Sequence, residues 1–271
     1  MTKVRSLVVT GNGVNCEMEM AHANRLAGAD EVVVTTIYAL LAGELRLDGF
    51  QLLNLPGGFM DGDDLGSAKA GAVRWRYARV AGTDEFLSDQ LRTFIDAGKC
   101  VIGVCNGFQL LIKLGLVPAL GGDYFVQTST LTNNESGRFE DRWVRLVADS
   151  DSPCVFTRGI ASLEVPVRHG EGRFVAASAE VESQIRSRRL APLRYADADG
   201  RATQSYPANP NGSPDAIAAL CDETGRVFGM MPHPEAFLHR TNHPRWTREP
   251  MPEEGQGVAI FRNAVEYLRG A

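Results

Sequence analysis

Short apolar runs alternate with helical patterns along the first part of the chain. Strands are predicted at residues 7–10, 31–35, 51–55 and 100–104, and the first and third end at the turn signals Gly11-Asn12-Gly13 and Pro56-Gly57-Gly58. Helices are predicted at residues 15–26 and 84–97, and a third between residue 104 and Gly115, because apolar side chains recur there at helical spacing. The run at 100–104 is apolar on both faces, which is typical of a strand buried in a parallel sheet.

The later part of the chain is richer in strands. They are predicted at residues 143–147, 163–167, 216–221 and 227–231, and a last helix carries Phe261, Ala264, Val265 and Leu268 on one stripe. Segments 206–214 and 239–255 are predicted as loops. This order predicts an α/β fold with a mostly parallel central sheet flanked by helices and extra antiparallel strands in the later part. No stretch resembles an interdomain linker, so residues 1–271 are expected to form a single domain.

Composition narrows the classes of function. The 271 residues include 28 Lys and Arg against 33 Asp and Glu, and the net charge of −5 argues against nucleic acid or an anionic membrane as the main partner. No apolar run approaches the roughly 20 residues that span a bilayer, and the first apolar stretch is too short for a secretory signal. Five cysteines without a C-x-x-C pair indicate neither a disulfide framework nor a zinc site, so a cytoplasmic protein without a bound metal is expected.

The sharpest local feature is a cysteine between glycines at a predicted strand-to-helix junction. The segment Gly103-Val104-Cys105-Asn106-Gly107 is the thiol counterpart of the nucleophile elbow G-x-S-x-G. A tight turn of this kind tolerates no bulk at the flanking positions, and the positive end of the following helix favours a thiolate. Cys105 is therefore a candidate nucleophile, with a structural cysteine in a buried junction as the alternative.

A thiolate nucleophile needs a proton carrier, and His233 is the best placed of the five histidines. It follows a predicted strand in Met231-Pro232-His233-Pro234-Glu235, where the two prolines restrict the backbone. Glu235 is two residues further on and can orient the imidazole ring by accepting its second N–H. The three residues would form a Cys-His-Glu constellation for nucleophilic catalysis, whereas the His233 segment read alone is an ordinary turn.

A third candidate is the turn Leu55-Pro56-Gly57-Gly58-Phe59 at the end of another predicted strand. Gly57 and Gly58 leave backbone N–H groups free to face a developing oxyanion, and the N–H of Asn106 would be the other donor. A plain turn remains the alternative.

These residues resemble the class I (triad) glutamine amidotransferases, whose signature G-x-C-x-G-x-Q reads Gly103-Val-Cys-Asn-Gly-Phe-Gln109 here. The more specific resemblance is to the PurQ-type glutaminases of phosphoribosylformylglycinamidine (FGAM) synthase. It extends over nearly the whole chain and is carried by Gly13-Val-Asn-Cys16, Asn133-Asn-Glu-Ser-Gly-Arg-Phe-Glu140, His169-Gly-Glu-Gly-Arg173, Asn209-Pro-Asn-Gly-Ser213 and Gly229-Met-Met-Pro-His-Pro-Glu235.

The resemblance implies a flavodoxin-like fold and hydrolysis of the glutamine side-chain amide. Cys105, His233 and Glu235 would be catalytic, and Gly57, Gly58, Asn106 and Gln109 would bind the oxyanion or the substrate. It also implies that ammonia passes to a large synthetase subunit, in a complex with a small bridging subunit, for purine biosynthesis. ATP and Mg²⁺ are expected in the synthetase subunit and no cofactor in this chain, which lacks a Walker-type phosphate loop.

The sequence is compatible with three alternatives. The chain could supply another synthetase, such as those that make CTP or GMP. It could also be a catalytically silent binding subunit that retains the fold. His169 and Glu171 lie either near the glutamine pocket or synthetase interface, or in an ordinary polar turn.

Overall fold

The computed structural model describes residues 2–270, and within them the backbone forms eleven strands and seven α-helices. The strands are β1 (Arg5–Thr10), β2 (Glu31–Thr36), β3 (Leu52–Leu55), β4 (Cys100–Val104), β5 (Ser129–Thr132), β6 (Glu140–Ala148), β7 (Ser162–His169), β8 (Arg173–Ala176), β9 (Leu193–Ala196), β10 (Ala219–Cys221) and β11 (Val227–Met230). The helices are α1 (Glu17–Leu26), α2 (Ile37–Leu41), α3 (Lys69–Tyr77), α4 (Leu87–Asp96), α5 (Asn106–Lys113), α6 (Ala179–Ser187) and α7 (Val258–Gly270).

The central sheet has six strands in the order β10-β11-β4-β3-β1-β2. Every neighbouring pair is parallel except β10 with β11. Strands β3 and β4 are buried along their whole length, which explains their continuous apolar sequences. Helices α1 and α7 pack against each other, and a second group is formed by α3, α4 and α5. The predicted α/β fold with a mostly parallel sheet flanked by helices is confirmed.

The remaining strands form two smaller antiparallel sheets, as the sequence predicts for the later part of the chain. One has the order β7-β6-β9, and the other pairs β5 with β8. The register of β6 with β7 places Glu140 opposite His169. The carboxyl end of β7 therefore lies beside the end of segment 133–140, one of the segments that carry the sequence resemblance.

Some predicted boundaries are wrong for local reasons. The strand predicted at 216–221 begins at Ala219, because Asp215 and Ala216 both have a φ of +57° and lie in a 3₁₀ turn. The helix predicted at 84–97 begins at Leu87, because the Phe86 N–H donates to the Asp89 carboxylate at 2.8 Å and caps it there.

Helices α2, α3 and α6 and strands β5, β8 and β9 were not predicted as elements. The three strands have only four residues each, too few for an alternating pattern to stand out. Segments 206–214 and 239–255 contain neither a strand nor an α-helix, as predicted.

The hydrophobic core joins the central sheet to both smaller sheets through buried residues of nearly every element. That one domain covers the chain stays a prediction. None of the helices within residues 2–270 has the length and apolar character needed to cross a membrane.

Candidate active site

Cys105 lies in a tight turn between β4 and α5. Its φ of +53° and ψ of −107° are unusual for a residue with a side chain, as expected for an elbow that projects one side chain. A Cβ atom on Gly103 would lie 2.5 Å from the Gly107 carbonyl oxygen, and one on Gly107 would collide with the Leu55 carbonyl. Glycine is therefore required at both flanking positions, at residue 103 by the tightness of the turn, as the sequence predicts, and at residue 107 by the close approach of β3.

The Cys105 side chain is nearly enclosed by the ends of three strands. Its backbone N–H donates to the Met230 carbonyl at the end of β11 at 2.8 Å, and its Sγ donates to the Arg168 carbonyl in β7 at 3.5 Å. The residue is 6% exposed, and this small exposed part lines a cavity. The sulfur can therefore be reached only through that cavity.

His233 and Glu235 form a buried pair directly beyond β11. The backbone N–H of His233 donates to the Pro166 carbonyl at 2.8 Å. A 3₁₀ turn at Pro234–Ala236 brings the Glu235 carboxylate beside the imidazole ring. Glu235 Oε1 lies 2.6 Å from His233 Nδ1. Nδ1 is thus the nitrogen that Glu235 holds, and Nε2 has no hydrogen-bond partner among the described residues.

The pKa of His233 reflects two opposed effects. Burial by itself disfavours the charged ring, but the Glu235 carboxylate and the Cys105 sulfur outweigh burial and raise the pKa well above its ordinary value. The imidazolium is therefore favoured beside Cys105. This is the protonation state that a proton donor to a leaving amine needs.

Gly57 lies where the side chains of three other residues meet. A Cβ atom there would be 2.8 Å from His233 Cε1 and 3.4 Å from both Cys105 Cβ and Cys16 Sγ. Glycine at this position lets the loop after β3 approach the candidate nucleophile and the histidine at once. Cys16 is a site residue to which sequence reasoning gave no role, although it ends the family segment Gly13-Val-Asn-Cys16.

The loop after β3 is held by backbone pairing with the segment before α1. The Gly57 carbonyl accepts from the Asn15 N–H at 3.2 Å, and the Phe59 N–H donates to the Gly13 carbonyl at 2.7 Å. This pairing does not use the N–H of Gly58, whose φ is +140° and which lines the cavity. Gly58 therefore lies where an oxyanion donor would be needed.

Asn106 and Gln109, both on α5, make hydrogen bonds to two loops that line the cavity. Asn106 Oδ1 accepts from the Met60 N–H at 3.0 Å, and Asn106 Nδ2 donates to Gln109 Oε1 at 3.0 Å. Gln109 Nε2 donates to the Glu171 carbonyl at 2.6 Å, and the Glu171 carboxylate accepts from the Ser67 N–H at 3.2 Å. The two side chains thus connect the loop after β3 to the loop between β7 and β8.

For the glutamine hydrolysis that the sequence resemblance implies, we expect Asn106→Ala to lower kcat/KM by about 10²-fold, because misplacement of a supporting loop by about 1 Å can cost that much. The variant loses the Met60 and Gln109 contacts but leaves the backbone N–H of residue 106 in place. Steady-state ammonia release is the measurement. Asn263→Ala is the matched control, since Asn263 makes two side-chain hydrogen bonds from α7, to Phe156 and Arg158. Equal kinetics in the two variants would contradict the supporting role of Asn106.

His169, at the end of β7, is another buried residue of the cavity wall. Its Nδ1 lies 3.1 Å from Asn134 Oδ1, which also accepts from the Gly172 N–H, so Nδ1 carries the proton. Burial, with a smaller contribution from the charge of His233, lowers the pKa of His169 to about 3. Both His169 and Glu171 line the cavity, so the structure brings them to the pocket that the resemblance suggested.

The depressed pKa of His169 predicts a specific loss of stability in acid. Between pH 6.5 and about 3 the unfolded chain binds a proton at this residue that the folded chain does not, so the free energy of unfolding falls as the pH falls. By pH 4 the loss is about 3 kcal/mol. His169→Asn keeps a donor toward Asn134 and should remove this part of the pH dependence. Urea unfolding at pH 7 and pH 4 measures the change in the free energy of unfolding. If this change were the same in His169→Asn as in the wild type, the prediction would be contradicted.

The cavity has a volume of about 610 Å³, within the range of small-ligand sites. Cys105, His233, Gly58 and Gln109 line it, and Glu235 and Asn106 lie directly behind them. Gly57 adjoins Cys105 and His233, so the structure brings together all seven residues that the sequence proposed as catalytic, oxyanion-binding or substrate-binding. The lining also carries charges of both signs, which suits a zwitterionic amino acid: Glu19, Asp63, Glu171, Arg138 and Arg168.

Comparison with known proteins agrees with this geometry. Residues 3–268 match the model of the CobB/CobQ-like glutamine amidotransferase domain. The chain is 44% identical to phosphoribosylformylglycinamidine synthase subunit PurQ of Dehalococcoides mccartyi, with 99% of each chain covered, and 40% identical to PurQ of Methanococcus maripaludis, with 97% of each covered. Human phosphoribosylformylglycinamidine synthase is 38% identical over 92% of this chain, which corresponds to 19% of the human protein.

Solved structures give the same picture. The structure of PurLQS from Thermotoga maritima contains a chain with a TM-score of 0.70 and 27% identity, covering 98% of this chain and 100% of that one. A glutamine amidotransferase from the same organism has a TM-score of 0.56 at 16% identity over the full length of both, which shows a shared fold. The chain therefore belongs to the CobB/CobQ-like glutamine amidotransferase family and, within it, to the PurQ subunits of phosphoribosylformylglycinamidine synthase.

Proposed function

We propose that this chain is the glutaminase subunit of FGAM synthase in purine biosynthesis. The observation that carries the proposal is the buried constellation of Cys105 at the elbow, His233 beside it, and Glu235 Oε1 at 2.6 Å from His233 Nδ1. It opens into a cavity that has room for an amino acid and carries both charge signs.

The geometry supports a two-stage hydrolysis of the glutamine side-chain amide. The Cys105 thiol gives its proton to His233, Sγ attacks the amide carbon, and the resulting oxyanion is stabilised by the backbone N–H groups of Gly58 and Asn106. His233 gives its proton to the leaving nitrogen, so that the C–N bond breaks, ammonia departs and a γ-glutamyl thioester remains.

The second stage removes the acyl group from the sulfur. His233 accepts a proton from water, which attacks the thioester carbon, and glutamate and the Cys105 thiol are released. Glu235 holds the ring by Nδ1 throughout, so Nε2 remains the nitrogen that exchanges protons at the reacting atoms.

In this proposal the ammonia is used elsewhere in a complex. A large synthetase subunit, assembled with a small bridging subunit, converts formylglycinamide ribonucleotide to its amidine. ATP and Mg²⁺ act in the synthetase, consistent with the lack of a Walker-type phosphate loop in this sequence. The similarity to PurQ chains and to a chain of PurLQS supports the partner assignment, and a cytoplasmic location follows from the proposed function.

The test is reconstitution with the two FGAM synthase subunits of the source organism. We expect glutamine-dependent formation of the amidine, together with ammonia release that requires this chain. The chain is also tested with CTP and GMP synthetase domains, because it could supply ammonia to another synthetase. If the complex forms the amidine from added ammonia but not from glutamine, the chain is a catalytically silent subunit. If another synthetase forms its product from glutamine with this chain, the chain belongs to that synthetase instead.

A further inference from the structure

Cys16 is a second thiol at the active site, and the proposed reaction does not use it. It directly precedes α1, is 9% exposed and lines the cavity with Cys105 and His233. Its Sγ lies 4.0 Å from His233 Nδ1 and donates to Asn15 Oδ1 at 3.2 Å. The thiol therefore lies on the Nδ1 side of the ring, which Glu235 also contacts.

The three side chains supply the ligand types that zinc prefers. The ligand atoms of Cys16, His233 and Glu235 all lie within 4.8 Å of one another, and within residues 2–270 no other cluster of three His, Cys, Asp or Glu side chains is so arranged. Glu235 Oε2 is buried and has no hydrogen-bond partner among these residues, so the carboxylate has a spare oxygen. An unpartnered buried oxygen beside a thiol and an imidazole indicates capacity for a further ligand.

The spacing is close to that of a tetrahedral zinc site. Zinc bonds of about 2.3 Å to sulfur and about 2.0–2.2 Å to nitrogen or oxygen place ligand atoms roughly 3.3–3.6 Å apart. Here the Cys16 Sγ to His233 Nδ1 distance is 4.0 Å and the His233 Nδ1 to Glu235 Oε1 distance is 2.6 Å. The first distance must shorten and the second must lengthen, each by less than about 1 Å, to reach the tetrahedral values. The cavity provides an entry path.

We propose that Cys16, His233 and Glu235 form an inhibitory binding site for a thiophilic divalent cation such as zinc. The cation replaces the Cys16 thiol proton and the Nδ1 proton of His233, and both protons pass to solvent. An imidazole bound through Nδ1 keeps its remaining proton on Nε2, so it cannot accept a proton from Cys105 or from water. Bound zinc therefore stops the reaction, and this inhibitory effect rests on the proposed glutaminase function.

Zinc binding itself can be measured without any activity, by competition with a chromophoric chelator under reducing conditions. We expect one zinc ion per chain in the wild type and in Cys105→Ala, since Cys105 is not a ligand. Cys16→Ala and Cys16→Ser should each weaken binding by about 100-fold or more, because even supporting residues of metal sites contribute 10–100-fold. Cys154→Ala, which removes another buried thiol, is the matched control and should bind like the wild type.

Wild-type affinity in both Cys16 variants, or loss of zinc from Cys105→Ala, would overturn the assignment. Circular dichroism and thermal unfolding of each variant show that it is folded. In the kinetic arm, zinc should inhibit ammonia release by the wild type, and a chelator should restore it. A reconstituted wild-type complex without glutamine-dependent ammonia release in zinc-free buffer would contradict the proposed function, while the chelator competition would still decide on the metal site.

Discussion

Cys105→Ala is expected to abolish glutamine-dependent ammonia release, with a loss of about 10⁴-fold or more in kcat. The size of the effect follows from the absence of a substitute nucleophile. Cys16 is the other thiol that lines the cavity, but it lies on the Nδ1 side of His233 and burial raises its pKa, which disfavours the thiolate there. The alanine variant should also keep the fold, since the backbone of the turn depends on Gly103 and Gly107 rather than on the sulfur.

Amidine formation from added ammonium salt distinguishes loss of glutaminase activity from loss of the assembled, active synthetase complex. Reconstituted FGAM synthase containing Cys105→Ala should still form the amidine from added ammonium salt at the wild-type rate. Cys154→Ala is the matched control and should retain both activities, because Cys154 is buried away from the cavity lining. Substantial glutamine-dependent turnover by Cys105→Ala would remove Cys105 from the proposed role.

His233→Asn is expected to lower kcat by about 10²–10⁴-fold or more, because the proton carrier for both stages is lost. Glu235→Gln should be milder, since the amide can still contact Nδ1 and hold the ring. The clearest effect of Glu235→Gln should be on the pH dependence of kcat/KM. Burial opposes the charge on His233 and the Glu235 carboxylate restores it, so removal of the carboxylate lowers the pKa of His233. The alkaline limb of kcat/KM should therefore move to lower pH.

Steady-state ammonia release between pH 5 and 10 checks both parts of this prediction. Glu254→Gln is a control for loss of a carboxylate, since Glu254 pairs with Arg262 away from the cavity. An unshifted alkaline limb in Glu235→Gln would show that Glu235 does not control the protonation of His233. If Glu235→Gln lowered kcat as much as His233→Asn does, Glu235 would have a role beyond holding the imidazole ring.

The local parts of the site could be predicted from the sequence because each is made by adjacent residues. The five residues 103–107 are enough to indicate the elbow, although the need for glycine at residue 107 comes from the close approach of Leu55 in β3. The pairing of His233 with Glu235 likewise depends on a single 3₁₀ turn. Strand β4 was predicted with its observed bounds, since a strand buried on both faces is apolar at every position.

The sequence by itself thus determined the fold class, the elbow and the identity of the candidate catalytic residues. The tertiary structure decided which distant residues meet them. Cys16 reaches His233 across 217 positions, and Gln109 reaches the Glu171 carbonyl across 62. Neither contact leaves a periodic or local pattern. The first depends on how the central sheet brings the carboxyl ends of β1 and β11 to one edge, and the second on how the loop after β7, a strand of a different sheet, lies beside α5. The four-residue strands β5 and β8 were missed for the same reason, since their pairing with each other, rather than local propensity, makes them strands.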